Sequence, residues 1–285
     1  MERLEFVEAK TSDGITLAGI TAHPRGKKRT ALIWLHGLTS AFYHGMPFVR
    51  ELSKRCTLNG LGYFKFNNRG HDIAARSNKK TIGVAYEDFK KCVLDIKAMI
   101  ACAHRCGYKN VILAGHSTGA NKIVYYMYRT HDRRVKGLLL AGGLSDIAAD
   151  WGHAGRRVVE RVLRKAKRLR RRDPNALVWL NKKMYCASRF ISLYNPGEAE
   201  DVFPVYNPNA RWTAMKSLRS PLAVVFGSRD EHMDRSAKEL IELYRIKAKN
   251  VPRYDGSIIR GADHSFVKHE RELARCILQW MMGIV

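Results

Sequence analysis

The sequence predicts an α/β fold: a mainly parallel central sheet with helices on both faces, interrupted once by a helical insertion. Three observations carry that expectation. Apolar, partly β-branched runs such as Thr30–Leu35, Val111–Ala114, Val135–Ala141 and Pro221–Phe226 show no alternation, as strands do when both faces of a parallel sheet are covered. From Thr30 to Ala141 these runs take turns with helical stretches, which implies right-handed crossovers. The alternation lapses from about Leu144 to Leu218 and resumes at Pro221.

In chain order, Leu4–Ala9 and Ile15–Ala22 read as two strands joined by Ser12-Asp13-Gly14, since Asp-Gly is a strong hairpin signal. A basic loop, His23 to Lys28, leads into the strand Thr30–Leu35, which stops at His36-Gly37-Leu38-Thr39-Ser40. A helix over Pro47–Leu58 is broken by Asn59-Gly60, and Tyr63–Phe66 is the next strand. Beyond the polar loop Asn67–Asp72, an amphipathic helix spans about Tyr86 to Cys106. Its Phe89, Cys92, Val93, Ile96, Met99, Ile100 and Ala103 recur at helical spacing on one face. Gly107 ends it. The strand Val111–Ala114 then runs into Gly115-His116-Ser117-Thr118-Gly119, a helix to about Thr130, and the strand Val135–Ala141. After the insertion come Pro221–Phe226, a helix over about Arg235–Lys247, a strand ending at Ser257–Arg260, and an amphipathic helix from Phe266 to Met282. Residues 1–143 and 219–285 are therefore expected to form the core and 144–218 a cap.

A chain of 285 residues with 46% apolar content can bury one large α/β core. No run of about eighteen apolar residues marks a transmembrane helix. The N-terminal MERLEFVEAKTSDG has no apolar signal-peptide core. Six cysteines without C-x-x-C spacing read as reduced core residues of a cytoplasmic protein, not as a disulfide frame or zinc site. The net charge of +25 can attract anionic partners over long range. Arg156–Asp173 holds ten Arg/Lys against two acids, a net +8. The remaining +17 is spread over a generally basic surface.

The chemistry centres on Ser117. A strand, G-x-S-x-G and a helix in succession place a serine hydroxyl at the tip of a sharp turn, where Gly115 and Gly119 omit the Cβ atoms that would clash. The helix start turns N–H groups and a positive dipole end toward the site. Serine is a poor nucleophile at neutral pH and needs a base oriented by an acid. Two loops after later strands offer these: Gly227-Ser228-Arg229-Asp230-Glu231 and Gly261-Ala262-Asp263-His264-Ser265. Asp230 comes soonest after its turn and is the favoured acid; Glu231, Asp234 and Asp263 are alternatives. His264 is the base. The expected oxyanion donors are the backbone N–H groups of Leu38 and Thr118. His36 is read as a loop brace and His116 as a support beneath the turn.

The order Ser117, Asp230, His264 is that of the α/β-hydrolases, which the chain resembles over essentially its whole length. Shorter segments narrow the likeness: Gly115–Gly119, Leu144-Ser145-Asp146, Arg211-Trp212 through Ser217-Leu218, Ser228–Glu231 and Ile258–His264. These resemble the family that includes fungal siderophore esterases. The resemblance implies hydrolysis of a small-molecule ester by Ser117, His264 and Asp230, with no metal and no organic cofactor for the chemistry.

The strongly basic Arg156–Arg172 helix is not part of that resemblance. Its stripe Val158, Val159, Val162, Leu163, Ala166 and Leu169 admits three readings: a cap helix with a solvated charged face, a contact with an anionic membrane or anionic substrate, or a phosphate-binding surface. The last lacks interleaved aromatics, which speaks against nucleic acid. Trp151, Trp179, Tyr185, Tyr194 and Trp212 are candidates to line an acyl pocket. The leading expectation is a serine esterase. The alternatives are a thioesterase or lipase at anionic membrane surfaces and a non-catalytic basic binding module.

Overall fold

The structure, a computed structural model, describes residues 3–26 and 29–285; Lys27 and Lys28, the end of the expected basic loop, lie outside them. The first half of the chain forms β1 (Glu5–Lys10), β2 (Thr16–Ala22), β3 (Thr30–Leu35), α1 (Met46–Leu58), β4 (Gly62–Phe66), a short hairpin β5 (Ala75–Ser77) and β6 (Lys80–Ile82), then α2 (Cys92–Arg105), β7 (Asn110–His116), α3 (Thr118–Thr130) and β8 (Val135–Ala141). The insertion contributes α4 (Asp146–Asp150), α5 (Arg156–Arg170), β9 (Leu177–Leu180), β10 (Lys183–Cys186), α6 (Ala187–Tyr194) and α7 (Thr213–Ser217). The chain closes with β11 (Leu222–Gly227), α8 (Ala237–Lys247), β12 (Tyr254–Ile259) and α9 (Glu270–Met282).

The main sheet runs β1-β2-β4-β3-β7-β8-β11-β12. Only β1 and β2 are antiparallel to their neighbours; from β4 to β12 every pair is parallel. β3, β4 and β11 are buried at every residue, which is why their sequences do not alternate. One face packs against α2, α3 and α8 and the other against α1 and α9, so the sheet is covered on both sides.

Some elements differ from the sequence reading. The helix expected from Tyr86 begins six residues later, after a turn in which the Asp88 side chain accepts from Lys90 N–H. The preceding Val84 and Glu87 are buried against other elements instead. The insertion is not all helical. LVWL and KMYC pair as a hairpin whose register alternates buried Val178 and Leu180 with exposed Leu177 and Trp179. Asn181 closes it at φ 53°, a left-handed conformation that asparagine tolerates.

The apolar stripe on α5 is packed: Val159, Leu163 and Ala166 join Val178, Leu180, Phe190 and Tyr194 in a cluster of their own. The Arg and Lys residues of Arg156–Arg172 are all exposed. Residues 202–218 behave differently, since Phe203, Trp212 and Met215 join the main core beside α3 and α8. A buried ionic network ties the two parts together. Arg189 of α6 donates to Glu200 and, at 3.1 Å, to Glu87, which also pairs with Lys122 of α3 at 2.6 Å.

Candidate active site

β7 delivers Ser117 to the turn at φ 55°, ψ −128°, a conformation that side chains rarely adopt. Ser117 N–H donates to Ala141 O at 2.9 Å and Ser117 O accepts from Ala120 N–H at 2.8 Å, which locks the turn from both sides. The glycines are required by contact. A Cβ on Gly115 would lie 2.3 Å from the Gly119 carbonyl carbon, and one on Gly119 would lie 2.4 Å from Leu35 O. Helix and strand could not approach this closely with any side chain there.

Asp230 and His264 follow β11 and β12, adjacent parallel strands, so their loops emerge together at the sheet edge where Ser117 stands. His264 Nδ1–H donates to Asp230 Oδ2 at 2.9 Å, and the second carboxylate oxygen accepts His232 N–H at 3.0 Å. Of the acids the sequence left open, Asp230 is the one that reaches the imidazole. Glu231 instead accepts the His264 backbone N–H at 3.0 Å, Asp263 accepts Val267 N–H, and Asp234 pairs with Arg235. His116 Nε2–H donates to the His264 carbonyl at 2.8 Å. Burial, and then His264 beside it, hold the His116 pKa down to about 4, so it stays a neutral brace.

Ser117 and His264 face one cavity of about 450 Å³. Among the described residues Ser117 Oγ makes no hydrogen bond to the His264 ring; the acid–base contact is closed and the base–nucleophile contact open. Such contacts tighten when a substrate is bound.

The loop after β3 lies against the serine. A Cβ on Gly37 would stand 2.7 Å from Ser117 Cβ and 3.2 Å from its Oγ. Leu38 and Thr118 flank this contact, and among the described residues neither backbone N–H is taken by another group. His36 is buried beneath the loop. Its Nδ1–H donates to Gly37 O at 2.8 Å and its Nε2 accepts Asn68 N–H at 3.2 Å. Burial, and then the Lys122 charge, keep it well below its ordinary pKa, hence neutral. Asn68 Oδ1 accepts from Lys122 Nζ at 2.8 Å. The loop is thus connected to the buried ionic network at Glu87 and Arg189.

The sequence profile of a family described as a protein of unknown function, DUF1749, matches residues 15–283. The chain belongs to DUF1749. No curated protein matches it. Among solved structures it is similar to the siderophore hydrolase EstB from Aspergillus fumigatus, with 17% identity and a TM-score of 0.71 over 99% of this chain and 98% of that one. It is also similar to an esterase of Pyrococcus furiosus, at 18% identity and a TM-score of 0.63 over 99% and 92% of the two chains. Est1E from Butyrivibrio proteoclasticus matches at 14% identity and a TM-score of 0.64 over 98% of each. The shared architecture is the α/β-hydrolase fold.

In this DUF1749 chain one wall of the Ser117 cavity comes from the insertion, through Asp146, Asp150, Lys183 and Tyr185. Sequence reasoning missed the first three, because nothing local marks a lysine on a hairpin as facing a serine on another strand. Burial, then Glu200 and Asp150, push the Asp146 carboxyl up to about 8. His232 was missed too. Its ring lies 4.5 Å from that of His264, and its Nδ1 is 2.7 Å from His153 Nε2 in the insertion. Of the five aromatics proposed for an acyl pocket, Tyr185 alone lines this cavity. Trp212 and Tyr194 are buried in cores, Trp179 is exposed, and Trp151 packs on Tyr206 beneath Arg156. Among the described residues no helix is long and apolar enough to cross a membrane.

Proposed function

We propose that the protein is a serine carboxylic-ester hydrolase acting on small or medium acyl esters. The observation that carries this is the strained Ser117 facing the same cavity as an imidazole whose Nδ1–H is held by Asp230. His264 Nε2 takes the Ser117 proton as Oγ attacks the ester carbonyl. The Leu38 and Thr118 N–H groups receive the developing oxyanion. The imidazolium, stabilised by Asp230, returns its proton to the departing alcohol. Water, deprotonated by the same histidine, then cleaves the acyl-enzyme. Residues 144–218 act as a cap, with Asp146, Lys183 and Tyr185 selecting the substrate. Among the described residues the cysteines form no disulfide, as in a reducing, cytoplasmic setting. Hydrolysis of short and medium p-nitrophenyl esters tests the reading. Ser117→Ala should lower kcat by about 10³-fold or more; unchanged turnover would reject the serine.

A second reading is favoured by one surface. β9 packs on α5 yet turns Leu177 and Trp179 outward, 42% and 56% exposed, beside a helix whose exposed charged face makes, among the described residues, the ion pair Arg156–Glu160 and no other. A basic face with exposed apolar side chains suits an anionic lipid surface. The same triad would then serve a lipase or thioesterase working at that surface. A purely binding role predicts vesicle or heparin retention that is indifferent to Ser117→Ala, with no hydrolysis in either protein.

A further inference from the structure

Lys65 is a charged residue in the middle of a buried strand. β4 reads GYFKF, and every residue of it is inaccessible. In the pleat Lys65 shares its face with Tyr63 and lies opposite Trp34 of β3, toward α1 and α9. It is 4% exposed. One of its N–H groups donates to the His44 carbonyl, and among the described residues it has no carboxylate partner. A methionine or leucine would fill the same volume without the desolvation cost of an ammonium, which is large when the charge is unpaired.

Its surroundings are those of a ligand pocket. Lys65 lines a cavity of about 310 Å³ that is distinct from the one at Ser117 and meets it at Ser40, His116 and Ser265. Part of the wall is aromatic, since Trp34 and Phe48 pack with ring centroids 4.7 Å apart and Phe266 faces the same space, while His36, His44 and Ser40 also line it beside the lysine. The N-terminus of α1 opens onto it at Gly45. That helix of 13 residues has no side-chain cap and no acid in its first turn, so its positive end is uncompensated. Glu270, also in the wall, makes no ion pair with Lys65 among the described residues. A buried ammonium and a bare helix N-terminus converge on a small aromatic-lined space.

We propose that this cavity is a binding site for a small aromatic carboxylate, with the carboxylate on Lys65 and the start of α1 and the ring against the packed Trp34–Phe48 pair and Phe266. The site is separate from the proposed hydrolytic chemistry and does not depend on it. Lys65 supplies the charge that selects an acid over its amide. A carboxylate is favoured over a phosphate because among the described residues one lysine and no arginine line the space.

Benzoate and benzamide are the probes, titrated by calorimetry and by tryptophan fluorescence into Ser117→Ala protein and into wild type phosphonylated at Ser117. Saturable benzoate binding is expected in both, at least tenfold tighter than benzamide. Adding Lys65→Met should weaken benzoate at least tenfold and leave benzamide unchanged, with the thermal midpoint no lower than before. If Lys65→Met and Lys65→Gln fail to fold, the benzoate-to-benzamide ratio in the lysine-bearing protein still decides. Equal binding of the two, no benzoate binding, binding that survives Lys65→Met, or binding abolished by phosphonylation would overturn the site. The last outcome would assign the acid to the oxyanion donors beside Ser117.

Discussion

At the scale of single residues, the proposed chemistry makes a sharp prediction for Asp230. It accepts the imidazole N–H with one oxygen and a backbone N–H with the other, so asparagine in its place would keep the shape and lose the imidazolium's counter-charge. Asp230→Asn is predicted to lower kcat by about 10³–10⁴-fold with KM little changed. Steady-state kinetics on one p-nitrophenyl ester check it; a loss confined to KM would contradict the orienting role. Lys65 makes a prediction about stability. Burial brings its pKa down to about 8, from an ordinary value near 10.5. Between those values the unfolded chain holds the extra proton, so wild-type stability should rise with pH across that window relative to Lys65→Met. Urea unfolding of both proteins at pH 7.5 and 10 measures it, and parallel pH dependences would refute a buried ammonium. The candidates Ser117, Asp230 and His264 stood out in the sequence because each follows a strand in a short, distinctive turn. Lys65, Asn68 and Lys122 were not. Their importance comes from what distant elements press against them, which no local pattern records.

Among elements, the turn from β7 to α3 is the most constrained. Gly119→Ala would drive a Cβ to 2.4 Å from Leu35 O, a backbone atom that cannot rotate away. A loss of roughly 1–3 kcal/mol is expected, since strand and helix must separate to relieve it. Chemical denaturation tests this, and a neutral result would mean the contact relaxes. The buried sheet strands were readable because continuous burial leaves an uninterrupted apolar run, whereas their order in the sheet was not read. The β9–β10 hairpin was not, because LVWL is apolar at every position and only four residues long, so its alternation shows in burial and not in sequence. The anchoring of α6 also lay outside the sequence. Arg189 is fully buried between Glu87 and Glu200, and Arg189→Met would leave those carboxylates short of a partner. About 3–5 kcal/mol of stability should be lost. A change near zero would show that the insertion is held by its apolar cluster alone.

Over the whole molecule, charge and fold are separable. The net +25 is carried on the surface and in the exposed face of α5, while the Ser117 cavity is walled by Asp146 and Asp150 beside Lys183. Reversing Arg161, Arg164 and Arg168 to glutamate should therefore abolish any salt-sensitive binding to phosphatidylserine vesicles and leave hydrolysis of a soluble ester unchanged. A parallel loss of both would show that α5 shapes the catalytic cavity itself. The most direct test of the central claim is covalent labelling with a fluorophosphonate, read by mass spectrometry of the labelled peptide. An activated serine predicts stoichiometric modification at Ser117 in the wild type, strong slowing in Asp230→Asn and none in Ser117→Ala. Modification elsewhere, or a wild type that does not label, would contradict a nucleophile at the β7–α3 turn.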